Sequence, residues 1–266
     1  MAIERSILAK FTCESTAQIR SCHVMNGYLY IGTGPEGIVY KTVSGFDFTE
    51  FYKTGESYVT AICDYGNALF CGTSPAGKIM MHNFNTGNRF NYVISGDYQV
   101  TAFCVYKDKL YAGTSPSGLI LSFDGTKWDM EYDCYGGGVK EMKVLGDSMY
   151  VFVNKIEFVP VLTDGNWTFM KSGGKYFPIS EFKKVKTEIP SLQKNLNFDW
   201  SFSAACVCGE KLYFSPVNRC NLYVYDGSVV EMFYQWDGEK IGAIESIGSS
   251  QIFVSVDDTV YVCNLE

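Results

Sequence analysis

The residues of this chain best able to do chemistry are ten cysteines, two histidines and a scatter of acidic side chains. Thiolates and imidazoles ligate soft or borderline metals and, beside a base, act as nucleophiles or general bases. Their spacing argues against both uses. Cys206 and Cys208 stand two apart, which on a strand puts them on one face, and no Cys-x-x-Cys pair occurs. His23 and His82 lie in no motif with a nucleophile. The chain has no Gly-x-Ser-x-Gly elbow, no His-Glu-x-x-His and no Gly-Lys-Ser/Thr run to cradle phosphate. Asp64, Asp257 and Asp258 could do acid–base work, but nothing in their spacing pairs them. These patterns predict no catalytic residue, no metal site and no cofactor.

Any such residue needs a scaffold, and the scaffold is written as a repeat. Residues 28–40 read YLYIGTGPEGIVY, 68–80 read ALFCGTSPAGKIM and 109–121 read KLYAGTSPSGLIL. The shared core is Leu-aromatic-x-Gly-Thr-Ser/Gly-Pro-x-Gly, anchored at Gly32, Gly72 and Gly113. Weaker copies follow at 148–165, 211–227 (which keeps Ser215-Pro216) and 251–262, making six units. In the third unit four short strands are predicted, over 100–106, 109–115, 119–125 and 127–135. Asp124-Gly125, Asp164-Gly165 and Asp226-Gly227 mark the third-to-fourth junction. Asp-Gly favours the positive φ angles of a tight hairpin. Four antiparallel strands per repeat of this length is the signature of a propeller blade.

The ends of the chain complete the count. The last unit supplies three strands, and residues 4–13 form an orphan strand before the first full unit. The N-terminal strand is therefore expected to pair at the outer edge of the last blade and close the ring, protecting edges that would otherwise aggregate.

The pattern resembles the β-propeller superfamily, in the broad group with kelch, tectonin and WD40-type repeats. It carries neither the Trp-Asp dipeptide at repeat ends nor the kelch double glycine. Short Gly-Thr-Ser-Pro-x-Gly blades look like divergent propellers of bacteria and their phages. The resemblance covers nearly all of the chain except roughly 172–200. It implies an all-β, six-bladed propeller in a single domain, 1–266, with seven blades as the alternative. It says almost nothing of activity, because one fold hosts many functions.

Counting back six residues from the repeated Leu selects one inner-strand column: His23, Cys63, Cys104, Lys143, Cys206 and Ser246. Two residues further back stand Ser21, Ala61, Ala102, Glu141, Ala204 and Ile244. Alternation puts both columns on one face of each blade. Small, buried residues packed round an axis account for most of them; the alternative is a thiol and imidazole ring around the channel that binds a soft metal, against which stands the distance between sulfurs on neighbouring blades. Lys143 and Glu141 interrupt the pattern and suggest a hydrated channel or a local pair.

Two surfaces are candidates for binding. The second-to-third turns share a rim and offer Thr33, Pro35, Thr73, Ser74, Pro75, Thr114, Ser115 and Pro116, although turn chemistry alone explains each of them. Residues 172–200 form an insertion between blades four and five. It holds a basic cluster, Lys183, Lys184 and Lys186, beside apolar anchors that include Phe182. Long insertions in compact repeats are usually functional or disordered, and this one is expected to be a protein-contacting arm.

The formal charge of −7 opposes binding to duplex nucleic acid and to anionic membranes. No apolar run approaches the ~18 residues of a spanning helix, and the first residues lack the pattern of a secretory signal. A cytoplasmic protein, or one assembled into a particle made in the cytoplasm, is expected, with its cysteines reduced. The functional expectation is a non-catalytic protein-interaction scaffold, with a phage or virus particle as one setting. A lectin-like or small-ligand-binding propeller is the first alternative, and a lyase or hydrolase centred on the channel is the second.

Overall fold

The strand patterns read from the repeat are realised as six antiparallel sheets in a ring. The computed structural model describes residues 7–12, 18–42, 48–93, 97–134, 137–145, 147–154, 159–171, 175–178, 202–216, 220–225, 230–257 and 259–265. Blade one is β2 (Gln18–Met25), β3 (Tyr28–Gly34), β4 (Ile38–Thr42) and β5 (Phe48–Lys53). Blade two is β6 (Tyr58–Tyr65), β7 (Ala68–Ser74), β8 (Lys78–Asn83) and β9 (Arg89–Val93). Blade three is β10 (Gln99–Tyr106), β11 (Lys109–Ser115), β12 (Leu119–Phe123) and β13 (Trp128–Asp133), close to the four segments expected.

Blade four is β14 (Val139–Leu145), β15 (Ser148–Val153), β16 (Val159–Thr163) and β17 (Asn166–Lys171). It carries a fifth, outermost strand, β18 (Lys175–Pro178), formed by residues that the sequence pattern assigns to the insertion. An edge position is where a strand tolerates Pro178, whose nitrogen cannot donate to a ladder. Blade five is β19 (Phe202–Cys208), β20 (Lys211–Pro216), β21 (Asn221–Tyr225) and β22 (Val230–Gln235). Blade six is β23 (Ile241–Ile247), β24 (Gln251–Val256) and β25 (Thr259–Asn264), and β1 (Ile7–Thr12) completes it by pairing antiparallel with β25. The N-terminal latch is thus formed, and among the described residues there are six blades.

The repeat residues hold neighbouring blades together. In blades one to three the glycine of the second strand leaves room for a valine of the next inner strand: Gly32 lies against Val59, Gly72 against Val100 and Gly113 against Val139. All three valines are fully buried. Hydroxyls reinforce the seam. Ser21 Oγ donates to Val59 O at 3.0 Å, and Thr101 Oγ1 donates to Val139 O at 2.6 Å. Close-packed seams with paired backbone groups make the ring stiff.

Turn chemistry follows the sequence where it is described. Asp164 and Gly165 take φ of 50° and 77°, the paired positive angles of a tight hairpin. Residues 226–229 lie outside the described residues, and with them Asp226-Gly227.

Candidate functional site

Alternation on the six inner strands aims one set of side chains at the axis, where they line a cavity of about 430 Å³. Its walls include Ser21, Ala61, Ala102, Glu141, Ala204 and Ala243 at one level and His23, Cys63, Cys104, Lys143 and Glu245 at the next. Five of the six members of the expected column hold their places. The sixth does not: Glu245, not Ser246, occupies the position in blade six. His23 pairs across its hairpin with Tyr30, Cys63 with Phe70, Lys143 with Tyr150 and Cys206 with Tyr213, and the matching pair is Glu245 with Phe253. The same slip replaces Ile244 by Ala243. Its cause is the hairpin after β23, where three residues, 248–250, separate Ile247 from Gln251, against two between Met25 and Tyr28. One added residue flips a strand's faces when the count is taken from the far side of a turn. Counting from the N-terminal end of β23 would have found the glutamate.

The ring therefore reads His, Cys, Cys, Lys, Cys, Glu in blade order, and its charges are not scattered. His23 Nε2 lies 2.6 Å from Asp64 Oδ1, across the seam between blades one and two. Glu245 Oε1 stands 3.8 Å from His23 Nδ1. Blade four faces this group with Lys143 Nζ 3.5 Å from Glu141 Oε1. Asp64, which its spacing in the sequence pairs with nothing, is thus part of a cluster. The contact joins residues 41 apart and depends on how two blades meet. Asp257 acts away from this cluster. Its carboxylate accepts from the backbone N–H groups of Glu239 and Lys240, on the connection leading into β23. Asp258 lies outside the described residues.

Electrostatics divides the two carboxylates that flank His23. The hydrogen bond with His23 is the largest influence on Asp64 and holds its carboxyl below the usual range. Burial pushes Glu245 the other way, with Lys143 and His23 only partly offsetting it. For Lys143, burial favours the neutral amine, but Glu141 and Glu245 outweigh it and the ammonium is held above its ordinary value. Burial also raises the channel thiols, Cys104 to about 12, so they are thiols rather than thiolates at neutral pH. The described cysteines are free, without a disulfide. Val105 and Val144, 43% and 37% exposed, add an apolar side to the same cavity.

Solved structures place this arrangement among known folds. The chain is similar to a catalytically inactive variant of virginiamycin B lyase from Staphylococcus aureus, determined with quinupristin, at a TM-score of 0.73 and 11% identity, covering 99% of this chain and 100% of that one. It is also similar to the WD40 propeller domain of Doa1, at TM-score 0.68 and 9% identity over 98% of this chain and 97% of that one. The WD40 repeats of RRP9 give TM-score 0.68 and 10% identity over 99% and 100%. The chain is a divergent β-propeller. No family model matches it, and no curated protein does. At these identities the likeness carries the architecture alone, and among these neighbours that architecture is found in WD40 domains and in a lyase.

The rim turns are built alike. Gly34-Pro35, Ser74-Pro75 and Ser115-Pro116 are cis peptides. Thr33, Thr73 and Thr114 are fully buried. Thr33 Oγ1 donates to Ile38 O at 2.9 Å and Thr73 Oγ1 to Lys78 O at 3.1 Å, while Thr114 Oγ1 accepts from Leu119 N–H at 3.0 Å. An acidic residue from the preceding connection clamps each of two turns. Glu56 accepts from Ala76 N–H at 3.2 Å and pairs with Lys78 at 2.6 Å. Asp97 accepts from Ser117 N–H at 3.2 Å and from the Thr114 hydroxyl. Ser115 is buried and Ser74 half-buried, whereas Pro35, Pro75 and Pro116 are exposed. Of the candidate rim residues, only the prolines are exposed. Phe182, Lys183, Lys184 and Lys186 lie outside the described residues.

Proposed function

We propose that the chain is a rigid protein-interaction scaffold, a structural component of a larger assembly such as a phage or virus particle. The observation that carries this reading is the clamped rim. Glu56 and Asp97 each tie a connection to the turn of the next blade, so exposed Pro75 and Pro116 are displayed on loops fixed from both sides. Loops held by a rigid scaffold lose little entropy when they bind. Exposed Tyr98, beside Asp97 on the same rim, adds an aromatic anchor of the kind enriched at interfaces. The net charge of −7 favours a partner with a basic face. The insertion supplies the second contact, with its Lys183–Lys186 cluster.

The test is reconstitution with a co-purifying protein from the native assembly, measured by light scattering on a size-exclusion column. Replacing 179–200 by a short Gly-Ser linker spares β18. It is expected to weaken association ~10-fold or more, as expected when a hot spot is lost. Tyr98→Ala is expected to weaken it as well. Unchanged association in both variants would overturn the reading.

A second reading, a channel-centred lyase or hydrolase, is favoured by a specific observation. Asp64 and Glu245 flank one imidazole and are driven apart in acidity, the pattern that assigns an acid and a base. A screen of ester, lactone, glycoside and uronide substrates would test it. Turnover lost in His23→Ala supports it. Equal rates in wild type and His23→Ala across the screen sink it.

A further inference from the structure

We propose that His23, Cys63 and Asp64 bind a borderline divalent transition-metal ion, with Zn²⁺ as the type, at the seam between blades one and two.

An imidazole nitrogen, a Sγ and a carboxylate oxygen of these residues all lie within 4.8 Å of one another. Around tetrahedral zinc, donors at ~2.0–2.3 Å from the ion stand ~3.3–3.8 Å apart. The set is therefore within roughly 1 Å of ligating geometry, a displacement that side-chain torsions absorb. One nitrogen, one sulfur and one oxygen suit a borderline ion better than magnesium or calcium, which prefer oxygen alone. All three residues line the axial cavity, so a fourth position faces open space.

The surroundings supply what a ligating histidine needs. The ring nitrogen not bound to metal usually faces a carboxylate that fixes the tautomer. Glu245 Oε1 stands on the Nδ1 side of His23, at 3.8 Å. Without metal, Nε2 is over-subscribed. The Asp64 carboxylate at 2.6 Å asks it to donate, while the Asp64 backbone N–H points at it from 3.3 Å and asks it to accept. One nitrogen cannot do both. A metal on Nε2 moves the proton to Nδ1, toward Glu245. The charges also balance: the ion replaces the Cys63 thiol proton, which leaves to solvent, and the thiolate and the Asp64 carboxylate together neutralise the dication. This assignment differs from a ring of column thiols in taking Asp64, outside the inner-strand column, as its third ligand.

The test uses the full chain, stripped with a chelator and titrated with Co²⁺. A thiolate-to-cobalt charge-transfer band in the near ultraviolet, with visible bands of tetrahedral intensity and displacement by Zn²⁺, is expected at one equivalent. Cys63→Ser should abolish the charge-transfer band. His23→Gln and Asp64→Asn should each weaken Co²⁺ binding ~10-fold or more, in line with the loss of a ligand. Zn²⁺ should raise the melting temperature of the wild type more than that of Asp64→Asn at the same concentration. The other channel thiols serve as a control, and Cys104→Ser should leave the band intact. Three results would each overturn the proposal: no charge-transfer band in the wild type, an undiminished band in Cys63→Ser, or unchanged affinity in both His23→Gln and Asp64→Asn. If Cys63→Ser fails to fold, the latter two variants decide.

Discussion

Gly72 and Val100 are in contact across the seam between blades two and three. A methyl group at Gly72 would come within 2.7 Å of Val100 Cβ. The repeated glycine is thus explained by close approach of a neighbouring sheet rather than by its own backbone angles. Gly72→Ala is expected to destabilise the chain by ~1–3 kcal/mol, the usual cost of overpacking a filled core. Val100→Ala in the same chain should recover part of that loss, because the two changes share one volume. Denaturant unfolding of the two single variants and the double variant measures this. Strict additivity would show that the contact is not the cause.

Closure rests on β1, which forms the outer strand of blade six from the opposite end of the chain. Removing residues 1–12 leaves the outer edge of β25 unpaired. An exposed edge strand recruits other chains. The truncated chain is expected to lose its sharp thermal transition and to elute as higher-order species in size-exclusion chromatography. A monomer with the wild-type melting temperature would mean that the latch contributes nothing. Supplying residues 1–12 as a separate peptide should restore the transition in part.

The four-strand rhythm and the Gly-Pro-Gly turns are legible in the sequence because each is local, and the latch is legible because the strand count leaves one orphan strand at the start and one missing strand at the end. Leu29, Leu69 and Leu110 recur with their glycines at a fixed offset, and a period so regular leaves few folds. The axial site is half legible. His23, Cys63, Cys104 and Lys143 fall into one column because their hairpins have equal length, and Glu245 escapes it because its hairpin is one residue longer. Asp64 shows in the sequence only as an isolated carboxylate. It sits one position past Cys63 and reaches His23 across the seam between two blades, a contact that no spacing within one repeat encodes. In the sequence, turn chemistry already explains Thr33, Thr73 and Thr114, while a contact role is also compatible with their place on the rim. Only their burial separates the two roles, and it favours the turn.

Asp124 offers a pH-dependent check on the outer hairpin of blade three. Hydrogen bonds from the Thr126 hydroxyl at 2.6 Å, and from the N–H groups of Lys127 and Thr126, lower its carboxyl to about 2. A depressed folded value means that this carboxylate supports the hairpin above its unfolded value near 3.8 and that the support is lost as pH falls through about 2. Carboxyl chemical shifts followed by NMR should place Asp124 well below the exposed aspartates. Thr126→Ala should move it upward. An Asp124 that titrates near 3.8 in the wild type would refute the turn geometry.

Lys143 balances two half-buried acids, and its removal tests whether the channel charges act as one unit. Its ammonium lies 3.5 Å from Glu141 and is also held by Glu245. Lys143→Met keeps much of the stem's volume but leaves two carboxylates facing each other in a poorly solvated cavity. Breaking such a pair from one side costs more than the pair contributes, because the remaining charge stays desolvated. A loss of ~1–3 kcal/mol in unfolding free energy is expected, below the range for fully buried pairs because both side chains keep about a quarter of their exposure. Glu141→Gln added to Lys143→Met should recover at least ~1 kcal/mol of that loss, a coupling typical of contacting residues. If the double variant is instead as unstable as the two single changes summed, the charges are independent. Glu245 and His23 would then have to be considered apart from blade four.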